Sequence, residues 1–375
     1  MSMQISTQVP DVTRDLASED YIAISALARL SFPTTQASFV TPGKAGGLVI
    51  ERDGKIVAVA LLRIIRLPSG RKVGFVAWLM THPDYCGQGL ASKLVVASTE
   101  RLTSMQCEFT VTDVEGYNTG SANAFFKAGY GRVSLVRALR QWSAIDSIWL
   151  SVKTGHLFDP GHFLWVSHGV RSEYSPWRER LLAFIFNALI AVFAFALGGG
   201  FFSSASPFFP SIQAIIAFFI GVFGMLIVRE VGVQIVATLH KVPLEFRAWT
   251  GGWGVSFIIA MSFGNMFPLP GNVYPRGDGW RLRNYQEVFG QGAVVSTLFV
   301  ASLIMLGAFL QNNASSEFLR YLGLALLFVG KPLMVFDTLV AVAPFEGFNG
   351  RHLWDYNRFI WIALSAIAVI LFVWA

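Results

Sequence analysis

Two hydrophobic regimes divide the chain. Through residue 142 the apolar positions come in short runs of strand or amphipathic-helix length. Leu48–Glu51 and Lys55–Leu62, split by Asp53-Gly54, predict a β-hairpin. Lys72–Thr81 predicts a third strand, and Cys107–Val114 another. Between them, His82–Gly89 is a glycine-bearing loop that runs into an amphipathic helix. Asn118–Ala128 reads as a helix ended by Gly129. From about residue 181 the runs lengthen: Leu181–Leu197, Ile212–Leu239, Val255–Phe267, Val288–Leu310, Leu319–Ala343 and Phe359–Ala375. Most are long enough to span a bilayer. Val255–Phe267 is too short, and Pro268, Pro270 and Gly271 cut it off, so it fits a re-entrant or interfacial segment.

Charge placement supports this division. With the N-terminus inside and Val255–Phe267 not crossing, Arg171, Arg178, Arg180, Lys241, Arg247, Arg276, Arg281, Arg283, Arg351 and Arg358 all fall on the inner side. The outer loops then hold no charge in Gly198–Ser211 and only Glu317 in Gln311–Phe318. This is the positive-inside pattern, and it accounts for the net charge of +6 without nucleic acid. Met1–Asp20 is polar and acidic and has no signal-peptide core. The two cysteines, Cys86 and Cys107, fit a reducing compartment. The expectation is a multi-pass protein of the cell membrane with a cytoplasmic N-terminal domain. An α/β domain at 1–142, a mixed sheet with flanking helices, is followed by a connector at 143–180. Residues 181–375 follow as an α-helical transmembrane domain of about five spans plus a re-entrant segment. The connector is rich in Trp, Phe and basic residues, as an interfacial belt is. Its His156, His162 and His168 do not share a helical face, and Pro160-Gly161 breaks any helix there.

The strand–glycine loop–helix step carries the candidate chemistry. Glycines at a helix start let backbone N–H groups approach a phosphate, and the helix dipole favours an anion there. Thr81–Leu94, with His-Pro-Asp-Tyr ahead of Cys86, Gly87, Gln88, Gly89, Leu90 and Ala91, resembles the acyl-CoA pyrophosphate loop of GNAT-type N-acetyltransferases. Asn118–Tyr130, which closes with Lys127-Ala128-Gly129-Tyr130, resembles that family's second cofactor segment. The resemblance covers about residues 20–142 and implies the GNAT fold with acetyl-CoA as co-substrate. Its implied cofactor positions are Leu79, Thr81, Cys86, Gly87, Gln88, Gly89, Leu90, Ala91, Asn118 and Phe125. Two positions depart from the pattern. Cys86 stands where the family has Arg or Gln, and Phe125 stands where many members carry a Tyr that protonates the leaving thiolate. Asp113 and Glu115 are the candidate bases for the acceptor amine, with Tyr85 and Tyr117 as further candidates. Solvated carboxylates at a strand end are the alternative reading of Asp113 and Glu115.

The membrane half carries a second resemblance. Phe218–Lys241 is an apolar run with Arg229-Glu230 inside it. Together with Leu244–Tyr274 and Pro344–Asn357, it resembles site-2-protease-like membrane metallopeptidases. In that family a helix carries His-Glu-x-x-His and a later loop supplies an Asp ligand. Here Arg229 and Val233 stand at the two His positions, Asn349 at the Asp position, and only Glu230 matches. Arg and Val cannot ligate zinc, so no metal is expected. Ionisable groups at this depth need partners. The matching depths of Arg229 with Asp337 and of Glu230 with Lys331 predict two ion pairs, with snorkelling of Arg229 as the alternative.

Three functional readings follow. One is a membrane-tethered N-acetyltransferase whose partners are acetyl-CoA, the lipid bilayer, and a membrane-protein or small amine substrate. Another is an acyl-CoA-sensing or client-binding regulatory pseudoenzyme. The third, an intramembrane zinc protease, is disfavoured by the lost ligands.

Overall fold

The computed structural model describes residues 11–32, 37–40, 46–133, 135–159, 161–167, 175–198, 209–276, 282–341 and 347–375. The chain forms two compact units. The first comprises residues 1–114, 120–154 and 163–172, and the second 115–119, 155–162 and 173–375.

In the first unit, β1 (Val12–Asp15) precedes α1 (Tyr21–Ser31), and β2 (Gly47–Arg52) pairs with β3 (Lys55–Arg66). The turn between β2 and β3 places Asp53 at φ 51° and Gly54 at φ 71°, the left-handed pair that matches strand twist in a two-residue hairpin. β4 (Lys72–Thr81) follows, then α2 (Leu90–Ser104), β5 (Phe109–Glu115), α3 (Thr119–Lys127) and β6 (Tyr130–Arg132). α4 (Leu135–Trp142) and α5 (Ala144–Thr154) come next, and β7 (His162–Ser167) closes the sheet. The seven strands run in the order β1-β2-β3-β4-β5-β7-β6. β7 lies within residues 143–180, so part of that stretch is sheet.

Both faces of the sheet are covered, which is why its strands read as near-continuous apolar runs. On one side Val49, Val59, Leu61 and Met80 pack with Ile24 and Leu27 of α1. On the other, Leu48, Ile50, Ala58 and Ala60 pack with Leu90 and Leu94 of α2. The alternation of neighbouring residues between these two clusters is the period-2 geometry of a strand.

In the second unit, α6 (Pro176–Leu197) starts with Pro176, whose missing N–H costs nothing in a first turn. α7 (Ile212–Leu239), β8 (Leu244–Ala248), α8 (Thr250–Phe263), β9 (Gly271–Pro275), α9 (Gln286–Asn313), α10 (Glu317–Leu339), α11 (Asn349–Tyr356) and α12 (Arg358–Trp374) follow. Of these, α6, α7, α9 and α10 are long and apolar enough to cross a membrane. α8 and α12 are shorter apolar helices of 14 and 17 residues. The segment expected to be re-entrant is therefore the short helix α8, which ends at Gly264 in the left-handed conformation, followed by strand β9. β8 and β9 pair antiparallel, and every residue of both is buried.

Small residues set the spacing of the long helices. A Cβ on Gly232 of α7 would sit 2.5 Å from the Ser296 Cα of α9. One on Gly292 of α9 would sit 3.0 Å from the Val233 Cα of α7.

Candidate functional site

The glycine loop is built where the sheet opens. β4 pairs with β3 along its length, from Arg66↔Lys72 to Ala58↔Thr81. The register slips between Leu61 and Leu62, which face Trp78 and Val76, so Ala77 is an extra residue in β4. Parallel pairing with β5 covers only Val73–Val76 against Phe109–Thr112. Burial changes at the same point: Val73–Val76 are buried, whereas Ala77, Trp78, Leu79 and Thr81 are half-buried. Leu79 and Thr81 thus lie on a stretch of strand whose β5 side has no ladder partner among the described residues.

Past Thr81 the chain makes a short 3-10 turn, Pro83–Tyr85, in which the His82 ring nitrogen accepts from the Asp84 N–H at 3.3 Å. Gly87 and Gly89 both have φ 81°, a conformation L side chains rarely adopt. Gly89 is the N-cap of α2 and supplies no side-chain cap. The first intrahelical bond is Lys93 N–H to Gly89 O at 3.1 Å, so the N–H groups of Leu90, Ala91 and Ser92 have no intrahelical acceptor. Cys86, Gly87, Gln88 and Gly89 are exposed around this helix end, and Leu90 is buried beneath it. The Cys86 thiol lies 3.6 Å from the His82 carbonyl oxygen.

Three charged residues flank the loop that sequence reasoning did not single out. Arg52 donates to Gln88 Oε1 at 2.7 Å and stands 5.3 Å over the Tyr85 ring. Asp11 accepts from Arg52 at 2.8 Å and from Lys93 Nζ at 2.7 Å. Lys93, then Arg52, holds the Asp11 carboxyl below its ordinary range by hydrogen bonding. Asp11, Arg52 and Lys93 are far apart in sequence, and no local pattern announces the cluster.

The other sequence-derived positions lie outside the loop itself. Phe125 is buried on α3 in the core cluster with Leu62, Val95 and Leu102, its ring edge-on to Tyr130 at 5.1 Å. Asp113 is half-buried on β5. Glu115, Tyr117 and Asn118 belong to the short segment grouped with the second unit. There Glu115 Oε2 accepts from the Tyr117 N–H at 2.8 Å, and the Asn118 N–H donates to Glu115 O at 3.0 Å. Tyr117 is buried among Tyr274, Phe289 and His352, at ring distances of 4.8, 5.6 and 4.9 Å. Burial pushes its phenol well above the ordinary range, so it stays protonated at neutral pH.

In the second unit, Arg229 of α7 makes a two-pronged pair with Asp337 of α10: Nε to Oδ2 at 2.9 Å and Nη2 to Oδ1 at 2.7 Å. Its remaining arm points to the Gly271 carbonyl at 3.4 Å. Asn349 Nδ2 donates to Asp337 Oδ2 at 2.7 Å and to Ser296 Oγ at 3.2 Å. Ser296 Oγ donates in turn to the Arg229 carbonyl at 2.6 Å. Guanidinium, carboxylate, amide, hydroxyl and backbone carbonyl close into a ring, and all four residues are buried. Val233, at another position the sequence singled out, is buried against Gly292.

The pairing expected between Glu230 and Lys331 does not form. Glu230 pairs with Arg180 of α6 at 2.7 Å, and Lys331 has no ion pair among the described residues. Successive helix positions point about 100° apart, so Arg229 and Glu230 cannot both face α10.

A family model for the GNAT acetyltransferases matches residues 12–130. No curated protein matches the chain. Solved structures similar to it include N-acetylglutamate synthase from Neisseria gonorrhoeae, complexed with coenzyme A and N-acetyl-glutamate. That likeness has 15% identity and TM-score 0.32, covering 43% of this chain and 35% of that one. The ribosomal-protein-S18-alanine N-acetyltransferase from Escherichia coli is similar at 14% identity and TM-score 0.30, over 44% of this chain and 99% of that one. An IAA acetyltransferase from Bacillus cereus is similar at 13% identity and TM-score 0.30, over 42% and 99%. Residues 12–130 lie within a GNAT-like mixed sheet with flanking helices, and the chain continues into a helical part with four candidate membrane-spanning helices.

Proposed function

We propose that this protein is a membrane-tethered N-acetyltransferase that moves an acetyl group from acetyl-CoA to an amine. One observation carries the reading: the glycine loop at the uncapped start of α2, inside the stretch matched by the GNAT family model. Backbone N–H groups from Gly87 to Ala91 hold the pyrophosphate, with the helix dipole behind them. Arg52 and Lys93, which share Asp11, leave one net positive charge beside the loop. The half-open edge at Leu79–Thr81 takes the extended arm of the cofactor. Asp113 or Glu115 takes the proton of the acceptor amine. The amine nitrogen then bonds to the acyl carbon as the carbon–sulfur bond breaks, and the thiolate leaves. Phe125 has no proton to give, so the thiolate takes its proton from solvent. The apolar helices hold this unit at the cytoplasmic face of the cell membrane, near a membrane-protein or small amine acceptor.

Calorimetry with acetyl-CoA and thiol release over a panel of amines, both on the full chain in detergent, test the proposal. Binding with turnover supports it. Binding without turnover on any amine supports an acyl-CoA sensor, the second reading, which Cys86 and the core-buried Phe125 favour. Absence of binding overturns both.

The membrane unit is, on this reading, a non-proteolytic relative of site-2-protease-like proteins. Arg229, Val233 and Asn349 occupy the three ligand positions, and two of them are spent on Asp337. Metal analysis of the purified protein tests this, because one tightly bound zinc per chain overturns it.

A further inference from the structure

The connection between β6 and β7 is the starting point. These strands pair antiparallel, with Tyr130↔Ser167 and Arg132↔Trp165 in register. Such a pair closes with a loop of about 2–5 residues. Here the connection runs from Val133 to Gly161 and carries two helices, α4 and α5.

α5 is turned inside out. In a helix on a globular core, apolar residues at i, i+3, i+4 and i+7 face inward. In α5 the residues at that spacing are Ile145, Ile148, Trp149 and Val152, and they are 69%, 60%, 41% and 41% exposed. The inward face is Asp146, Ser147 and Leu150, all buried. Specific bonds fix this orientation. Asp146 Oδ1 accepts from the Ser69 N–H at 3.1 Å, in the turn between β3 and β4. Ser147, on the same inward side, is satisfied within the helix start by the Ser143 carbonyl at 2.6 Å. The Trp149 indole N–H donates to the Arg66 carbonyl at 3.1 Å, and Lys153 Nζ stands 4.7 Å over its ring. Rolling the helix to hide its apolar stripe would break the Asp146 bond and bury the Lys153 ammonium.

Isolated exposed apolar side chains are ordinary on protein surfaces, but a stripe with this periodicity marks an interaction face. The charge around it indicates the partner. Leu135–Thr154 contains Arg137, Arg140 and Lys153, and its one acidic residue, Asp146, is buried. Arg63 and Arg66 of β3 are exposed as well. An apolar stripe with Trp and Ile, flanked by cations and with no exposed carboxylate in Leu135–Thr154, is the composition of a helix that lies in a membrane interface. The chain also has four helices of its own able to span a membrane, so a bilayer is always at hand. An 11-residue helix is about 16 Å long and binds lipid weakly by itself. Tethering turns that weak contact into an intramolecular one.

We infer that the outer face of α5 is seated in the headgroup region of an anionic lipid surface. The inference rests on the membrane reading of the four long helices and not on acyl transfer.

The test uses the full chain reconstituted into phosphatidylcholine vesicles containing phosphatidylglycerol, with part of the lipid brominated on its acyl chains. A bimane label is placed at Ile148→Cys in a Cys86→Ser background, Cys107 being buried. A second preparation carries the label at Glu100→Cys on the exposed side of α2. The expected result is quenching by brominated lipid and loss of iodide quenching at position 148, with the reverse at position 100. Adding Lys153→Glu weakens the lipid quenching by more than about fivefold, since each basic residue gains ~1 kcal/mol near an anionic surface. A label at 148 quenched by iodide and not by brominated lipid overturns the inference. So does a label protected from both, which means that protein, such as a second copy of the chain, covers the face. A protein that does not incorporate into vesicles at all overturns the membrane reading itself.

Discussion

Arg229 and Asp337 meet across α7 and α10 in a two-pronged ion pair, at 2.9 and 2.7 Å, with both side chains buried. Truncating one partner leaves an uncompensated charge at that depth. Arg229→Met or Asp337→Leu alone is expected to cost about 3–5 kcal/mol, read as a drop in the thermal midpoint of the detergent-solubilised protein. The double variant is expected to lose less than either single one, because no lone charge remains. Equal or greater loss in the double variant would show that the pair itself, and not the orphaned charge, carries the stability.

Close approach of α7 and α9 yields a prediction that is local to one helix. Gly232→Ala forces a Cβ against the Ser296 backbone and is expected to cost roughly 1–3 kcal/mol. Gly224→Ala, on the same helix, meets nothing within 4 Å and is expected to leave the thermal midpoint unchanged or slightly raised. Similar losses from the two would refute the packing account.

The glycine loop is testable through the cofactor. Cys86 is exposed beside Gly87, so Cys86→Arg has room to add a cationic donor. Acetyl-CoA is expected to bind it more tightly than the parent chain, by calorimetry. Gly89→Ala puts a side chain at φ 81° and strains the loop by roughly 1–2 kcal/mol, so weaker binding is expected. Unchanged affinity in both variants would place the cofactor elsewhere.

Acid is expected to destabilise the second unit. His352 stacks on Phe289 at 5.0 Å, and burial pushes its imidazole down to about 4 from an ordinary 6.5. Asp337 opposes that shift, whereas Arg351 and Arg229 add to it. The folded imidazole is therefore neutral where the unfolded one is charged. Its effect is absent above pH 6.5 and grows as pH falls towards 4, reaching about 3 kcal/mol of lost stability. Melting curves of the detergent-solubilised protein at pH 7.5 and pH 5, compared with those of His352→Leu, check the sign. The variant is expected to lose the part of the pH dependence that falls in this window.

Much of this architecture is local and therefore legible. Strand alternation in Lys55–Leu62, the Asp53-Gly54 turn and the Gly87–Gly89 loop each follow from backbone chemistry within a few residues. The long apolar runs at Ile212–Leu239 and Val288–Leu310 are likewise properties of one segment. Depth along a helix is also local, at about 1.5 Å per residue, which is why Asp337 could be matched to Arg229 from the sequence.

Facing direction is not local. Which neighbour a side chain meets depends on how each helix is rolled and on what packs beside it. Glu230, one position from Arg229, points to a different helix and finds Arg180, which in sequence is only one more basic residue flanking a span. Phe125 lies in the core with its ring edge-on to Tyr130, a contact that its own segment does not specify. β7 sits in a stretch that reads as interfacial connector, and long-range pairing between β5 and β6 makes it a strand. Periodicity shows that α5 is amphipathic, but not that its apolar side faces out. The Asp146 bond to Ser69, 77 residues away in the chain, settles that. The sequence by itself determined the hairpin, the glycine loop, the long apolar helices and the matching depths of Arg229 and Asp337. Tertiary structure decided which faces meet, because azimuth is set by contacts between distant segments and not by the residues of one.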